Sequence, residues 1–107
     1  MLENREYCKR IAEELEEYAA GKMVDGDGNE LGLYDYLGDV LDYEFTIDSQ
    51  KEYKVAKIWV TLGGPNVWID TAERAVKLAQ GTDREEYPLD WDVCNEIDDI
   101  MQDIYEC

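Results

Sequence analysis

Apolar residues along the chain change from one spacing to another. Over residues 2–21, Cys8, Ile11, Ala12, Leu15, Tyr18 and Ala19 recur at three- and four-residue steps, the period of a helix burying one face. Gly21 stands where a C-terminal glycine ends such a helix, followed by Lys22. Glu6, Glu13, Glu14 and Glu17 group on the opposite face, with Arg10 among them. "DGDGNELG" (25–32) has turn composition, and "LYDYLGDVL" (33–41) fits a short helical turn ending near Gly38. The period then falls to two. Tyr43, Phe45 and Ile47 alternate with Glu44, Thr46 and Asp48, and "EYKVAKIWVTL" (52–62) is rich in β-branched and aromatic residues. "GGPN" (63–66) cannot continue a central strand, so it predicts a hairpin into "VWIDT" (67–71). "AVKLAQ" (75–80) fits a fourth strand or a helical turn capped by Thr71; the strand is preferred, because three strands make a thin sheet over two helices. "GTDREEYP" (81–88) is expected to be a loop. A last helix starts near Leu89 or Asp90, with Asp90 as its N-cap.

These elements predict one α+β domain over residues 1–107. A small antiparallel sheet of three or four strands is flanked by an N-terminal and a C-terminal helix, in the order α-(α)-β-β-β-(β)-α. Lys51, Lys54 and Lys57 are placed to pair across the sheet with acids such as Asp48 or Asp70.

The closing segment, "DWDVCNEIDDIMQDIYEC" (90–107), holds seven carboxylates and neither Lys, Arg nor His. On a helix, Val93, Ile97, Ile100 and Ile104 fall within about 60° and predict the buried stripe. Asp92, Glu96, Asp99, Asp103 and Glu106 step by four, three, four and three, a second stripe centred about 110° from the first. Both cannot be buried, so the acids are expected in an exposed single file. Their axial steps of roughly 4.5–6 Å approach the spacing of phosphates along a DNA strand, ~3.4 Å of axial rise and about twice that in space. Like charges at i,i+4 cost a few tenths of a kcal/mol per pair, and acids near the C-terminus oppose the helix dipole. A helix that accepts both penalties suggests a use for the charge. The plain alternative is that an acidic protein scatters acids wherever water is. Tyr87, Trp91 and Tyr105 lie in or beside this element as candidate interface anchors, while Trp91 is more simply read as closing the helix onto the core.

Composition extends the same picture. The 27 Asp and Glu against 10 Lys and Arg give a formal charge of −17 on 107 residues. Such a field repels nucleic acid and anionic membranes and attracts basic protein surfaces. Solubility or adaptation to high salt would also account for it. The apolar share of 45 %, with eight Tyr and three Trp, suits a packed core and not an acidic tail.

Several chemistries lack their residues. There is no histidine, hence no usual base for a serine or cysteine nucleophile and no common zinc site. Cys8, Cys94 and Cys107 have no metal-site spacing, and Cys8 and Cys94 fall on the apolar helix faces. Asp25, Asp27 and Asn29 start like a calcium loop, but Glu30 stands at the glycine position and Tyr36 at the bidentate glutamate position. "LGGPN" lacks the Gly-Lys-Ser/Thr of a phosphate loop. The chain is therefore expected to be no enzyme and to need no metal or cofactor, although carboxylate-only catalysis is conceivable. A charged N-terminus without an apolar core, and no membrane-length apolar run, suggest the cytoplasm.

A small, acidic, histidine-free folded chain with filed carboxylates resembles the DNA-mimic inhibitors of phages and bacterial mobile elements, including anti-restriction and anti-CRISPR proteins. "TLGGPNVWIDT" followed by an acidic helix ending "YEC" is also similar to small proteins carried on such elements, over roughly residues 59–107. DNA mimics share charge and not motif, so the resemblance implies a class: occupation of the basic nucleic-acid channel of a defence nuclease in a bacterial host. Asp92, Glu96, Asp99, Asp103 and Glu106 would stand for phosphates, and Glu13, Glu14 and Glu17 would extend the surface. The competing expectation is a protein-interaction module that binds through its sheet, around residues such as Trp68, with acidity serving only solubility.

Overall fold

The computed structural model describes residues 2–40 and 42–106. Cys107 and Leu41, the last residue of the expected helical turn, lie outside them. The order is α1 (Leu2–Ala19), β1 (Met23–Val24), β2 (Glu30–Leu31), α2 (Leu33–Gly38), β3 (Asp42–Ile47), β4 (Tyr53–Thr61), β5 (Asn66–Asp70), β6 (Ala75–Gln80), β7 (Asp83–Pro88) and α3 (Trp91–Glu106). Strands β3 to β7 form one antiparallel meander in sequence order, and β1 and β2 form a separate small hairpin.

The α+β class and the two terminal helices stand as expected. The strand count does not: the sheet has five strands where three or four were expected. Residues 75–80 are the preferred strand, whereas 81–88, expected to be a loop, contain edge strand β7. Its charged run Asp83-Arg84-Glu85-Glu86 has no continuous apolar face. It pairs with β6 residue by residue from Gln80↔Asp83 to Ala75↔Pro88, and a proline and charges are tolerated because this is an edge.

Register assigns the two faces of the sheet. Ile58, Ile69 and Val76 lie side by side across β4, β5 and β6, and Val67 opposes Leu78. All five are essentially inaccessible to solvent and join Cys8, Ile11 and Leu15 of α1 and Val93, Ile97 and Met101 of α3 in one core. α1 packs on β6 and β7, and α3 on β4. The helices therefore cover one face only. Trp59, Trp68, Lys77 and Glu86, in register on the alternate positions, form a row on the open face. The smallest dimension of the molecule, 24 Å, is that of one helix layer on one sheet.

Local chemistry sets the boundaries. Gly21, at φ 73°, follows α1 in the left-handed conformation that favours glycine; a Cβ there would also meet a Glu30 carboxylate oxygen at 2.6 Å, which that flexible side chain can relieve by moving. In the turn at 25–29, Asp25 Oδ1 accepts the amides of Asp27 (2.8 Å) and Asn29 (2.9 Å). The carboxylate that would open a calcium loop is thus satisfied by its own backbone. Between β4 and β5, Thr61 donates to the Pro65 carbonyl (2.7 Å) and Asn66 Oδ1 accepts the Gly63 amide (3.0 Å). Lys54 reaches Asp48 at 3.4 Å, one of the expected sheet ion pairs.

Candidate acidic surface

The site is best built from what each carboxylate of the closing segment does. Asp90 is the N-cap: its Oδ2 accepts the amides of Asp92 (3.0 Å) and Val93 (3.3 Å), satisfying donors at the positive end of the helix. Asp98 is half-buried and accepts the Tyr53 hydroxyl at 2.5 Å, which ties α3 to β4. Burial and this carboxylate together push the Tyr53 phenol far above its ordinary value. The other five, Asp92, Glu96, Asp99, Asp103 and Glu106, are all exposed.

The buried residues of α3 are Val93, Cys94, Ile97 and Met101, while Ile100 and Ile104 are half-buried. The expected stripe through Ile100 and Ile104 is thus rotated, because Cys94 and Met101 turn inward. At 100° per residue the centre of the buried face moves to about 155° from the acidic file, so the file is nearly opposite the core and directed away from the sheet. Tyr105, on the flank, packs on Phe45 with ring centres 5.4 Å apart and donates to the Lys51 carbonyl at 2.7 Å. This fixes the rotation of the helix near its C-terminal end.

Among the described residues, no Lys or Arg forms an ion pair with the five acids, and the last turn of α3 has no basic residue. Glu106 accepts a hydrogen bond from Gln102 at 2.9 Å. Several cations are committed elsewhere: Lys54 to Asp48, Lys77 to Glu73, Arg84 to the Gly81 and Asp83 carbonyls, and Arg10 over the Tyr7 ring.

The helix-one acids divide. Glu13 and Glu17 are exposed; Glu14 is half-buried, lining one surface with Tyr18, Tyr36, Asp39 and Val40 and another with Arg10, Glu13 and Glu17. Burial first, and the Glu14 charge second, push the Tyr36 phenol far above its ordinary value. The residue joining the two helices was not singled out from sequence: Glu16, exposed, lines with Asp90, Asp92 and Glu96 a shallow groove of about 360 Å³ between the end of α1 and the start of α3. On its other side Glu16 shares a surface with Glu13 and Glu17. Its position on the edge of the apolar stripe hid it, since the sequence does not say which flank of α1 faces α3.

Trp91 was expected to close the helix onto the core. It is instead 56 % exposed, with the Arg74 guanidinium 5.4 Å from its ring centre. Leu89 closes the core at that corner, at 5 % exposure. Cys8 and Cys94 are buried as expected, and burial raises both thiols to about 11. None of the described helices is long and apolar enough to cross a membrane. Comparison with family models, characterised proteins and solved structures finds no match to this chain.

Proposed function

We propose that this protein is an acidic inhibitor that occupies the basic nucleic-acid-binding site of another protein, a CRISPR effector or restriction nuclease, with Asp92, Glu96, Asp99, Asp103 and Glu106 in place of phosphates. One observation carries the reading. Of seven carboxylates in the closing segment, the two that serve the fold lie off the file, and the five left over share one outward side without an ion-pair partner among the described residues. A ridge of this kind gains from complementarity with a Lys- and Arg-lined cleft and speeds encounter through long-range attraction. Glu13, Glu16 and Glu17 continue the negative surface past the groove. Glu14, half-buried, borders both this surface and the side that carries Tyr36.

The test uses a panel of purified restriction nucleases and CRISPR effectors. The protein is expected to retain one of them at low salt, to release it at high salt, and to compete with its DNA. The double variant D99K/D103K should keep its circular dichroism spectrum and lose that binding. Retention by the folded double variant would remove the mechanism.

A second reading rests on the open face of the sheet, where the Trp59 and Trp68 rings pack with centres 5.0 Å apart. Aromatic pairs of this kind anchor protein interfaces. A partner held there would tolerate salt and D99K/D103K but be lost on W59A.

A further inference from the structure

An open cavity of about 550 Å³ lies away from the acidic ridge, at the β7 end of the sheet. It is lined by Arg5, Trp68, Lys77, Leu78, Arg84, Glu85 and Glu86. Three of the ten basic residues of a chain with net charge −17 converge on it. Chance dispersal of so few cations over an acidic surface would favour pairing each with a nearby acid. Lys77 does pair with Glu73, but the two arginines are held by backbone carbonyls. Arg5 donates to the Glu86 carbonyl (2.9 Å) and lies over the Tyr87 ring, 5.2 Å from its centre. Arg84 donates through one nitrogen to the Gly81 (2.9 Å) and Asp83 (2.8 Å) carbonyls. A guanidinium has five N–H donors, so these contacts fix each arginine and leave donors over.

A second observation falls on the same cavity. The indole N–H of Trp68 is closed to solvent and has no hydrogen-bond partner, a condition met by no other buried side-chain nitrogen or oxygen among the described residues. A buried donor without an acceptor costs about 1–3 kcal/mol, and the residue that carries it is part of the cavity wall. All the groups that converge here and lack an acceptor are donors. The ligand they suit is therefore acceptor-only, and its charge is negative. Two carboxylates share the lining: register puts Glu85 on the helix side of β7, and Glu86 is exposed opposite Lys77. The volume exceeds that of a bare ion and lies in the range of small-molecule sites, with the indole as a flat wall.

We infer that this cavity binds a small oxyanion, a phosphate or carboxylate, carried on a planar ring. The oxyanion is held by Arg84, Lys77 and Arg5, and the ring lies against Trp68. This site is independent of the acidic ridge, and either can fail without the other.

The test is a titration of the intact, isotope-labelled protein with phenyl phosphate, benzoate and inorganic phosphate. The reporters are the three indole N–H resonances, assigned by through-bond correlation. Salt of about 0.15 M confines the repulsion of the −17 surface to roughly 8 Å. The expected result is a saturable shift of the Trp68 resonance with a ring-bearing anion, at lower concentration than with inorganic phosphate, while the Trp91 resonance stays in place. Which of the two ring compounds binds more tightly names the source of the oxyanion. The double variant K77Q/R84Q should weaken binding about tenfold or more with the Trp91 resonance unmoved, which shows the fold intact. No saturable shift up to about 10 mM of any probe, equal affinity for inorganic phosphate and the ring compounds, or undiminished binding by the folded double variant overturns the proposal.

Discussion

At the scale of single residues, the closing segment separates acids that hold the fold from acids that only face water, and each group predicts its own phenotype. Removing the Asp98 carboxylate takes from the half-buried Tyr53 hydroxyl its charged acceptor, so D98A should lose about 1–2 kcal/mol in a denaturant titration. Removing the Asp90 cap should lose about 1 kcal/mol. D99A should change stability by no more than about 0.5 kcal/mol, and toward stabilisation, because it relieves like charges one turn apart. A D99A as damaging as D98A would contradict this division. Asp48 gives a pH prediction. Its carboxylate accepts the amides of Gln50 (2.9 Å) and Glu52 (3.0 Å), and these bonds, chiefly the Glu52 amide, hold its pKa below the ordinary aspartate value, with Lys54 adding to the effect. A depressed folded value stabilises above the unfolded value of about 3.9 and is lost as pH falls through the folded one. The stability difference between the wild type and D48N, followed by thermal unfolding, should therefore be full at neutral pH and shrink once the pH drops below about 4.

At the scale of elements, periodicity identified what buries a face, found β3 although its Tyr43 and Ile47 are exposed, and missed β7. α1, β4, β5 and α3 were legible because apolar residues repeat at their period, and Asp90 announced the start of α3. β7 was not, because Asp83-Arg84-Glu85-Glu86 owes its strand to pairing with β6 and not to its own side chains. The phase of α3 was only partly legible: Cys94 and Met101 compete with Ile100 and Ile104 for the core, and the sheet and Tyr105 decide between them. The same limit hid Glu16, whose role depends on which helix flank faces its neighbour, and misplaced Trp91, whose size suggested burial while Leu89 filled the space. Position in the sheet should show in amide hydrogen exchange. β5 has a partner on both sides and inaccessible Val67 and Ile69, so its amides should exchange slowest, while the outer amides of β3 and β7 exchange orders of magnitude faster. Uniform protection across all five strands would contradict the assigned order.

At the scale of the whole molecule, a charge of −17 sits on one core, and the fold survives by turning most of it outward. Self-repulsion of this size is long-ranged, so it weakens as the Debye length contracts from about 30 Å at 0.01 M to about 8 Å at 0.15 M salt. The melting temperature should climb over that interval in sodium chloride, with most of the gain at the lower concentrations; a temperature that stays flat or declines would show that local pairs offset the repulsion. The two layers also make the molecule lopsided. The ridge on α3 and the tryptophan row on β4 and β5 look in opposite directions, because one lies outside the helix layer and the other on the uncovered side of the sheet. A positively charged plane, whether chromatographic bead or electrode, would consequently seize the molecule helix side down and leave Trp59 and Trp68 uppermost, an orientation set by the protein's own charge distribution with no tag engineered into it.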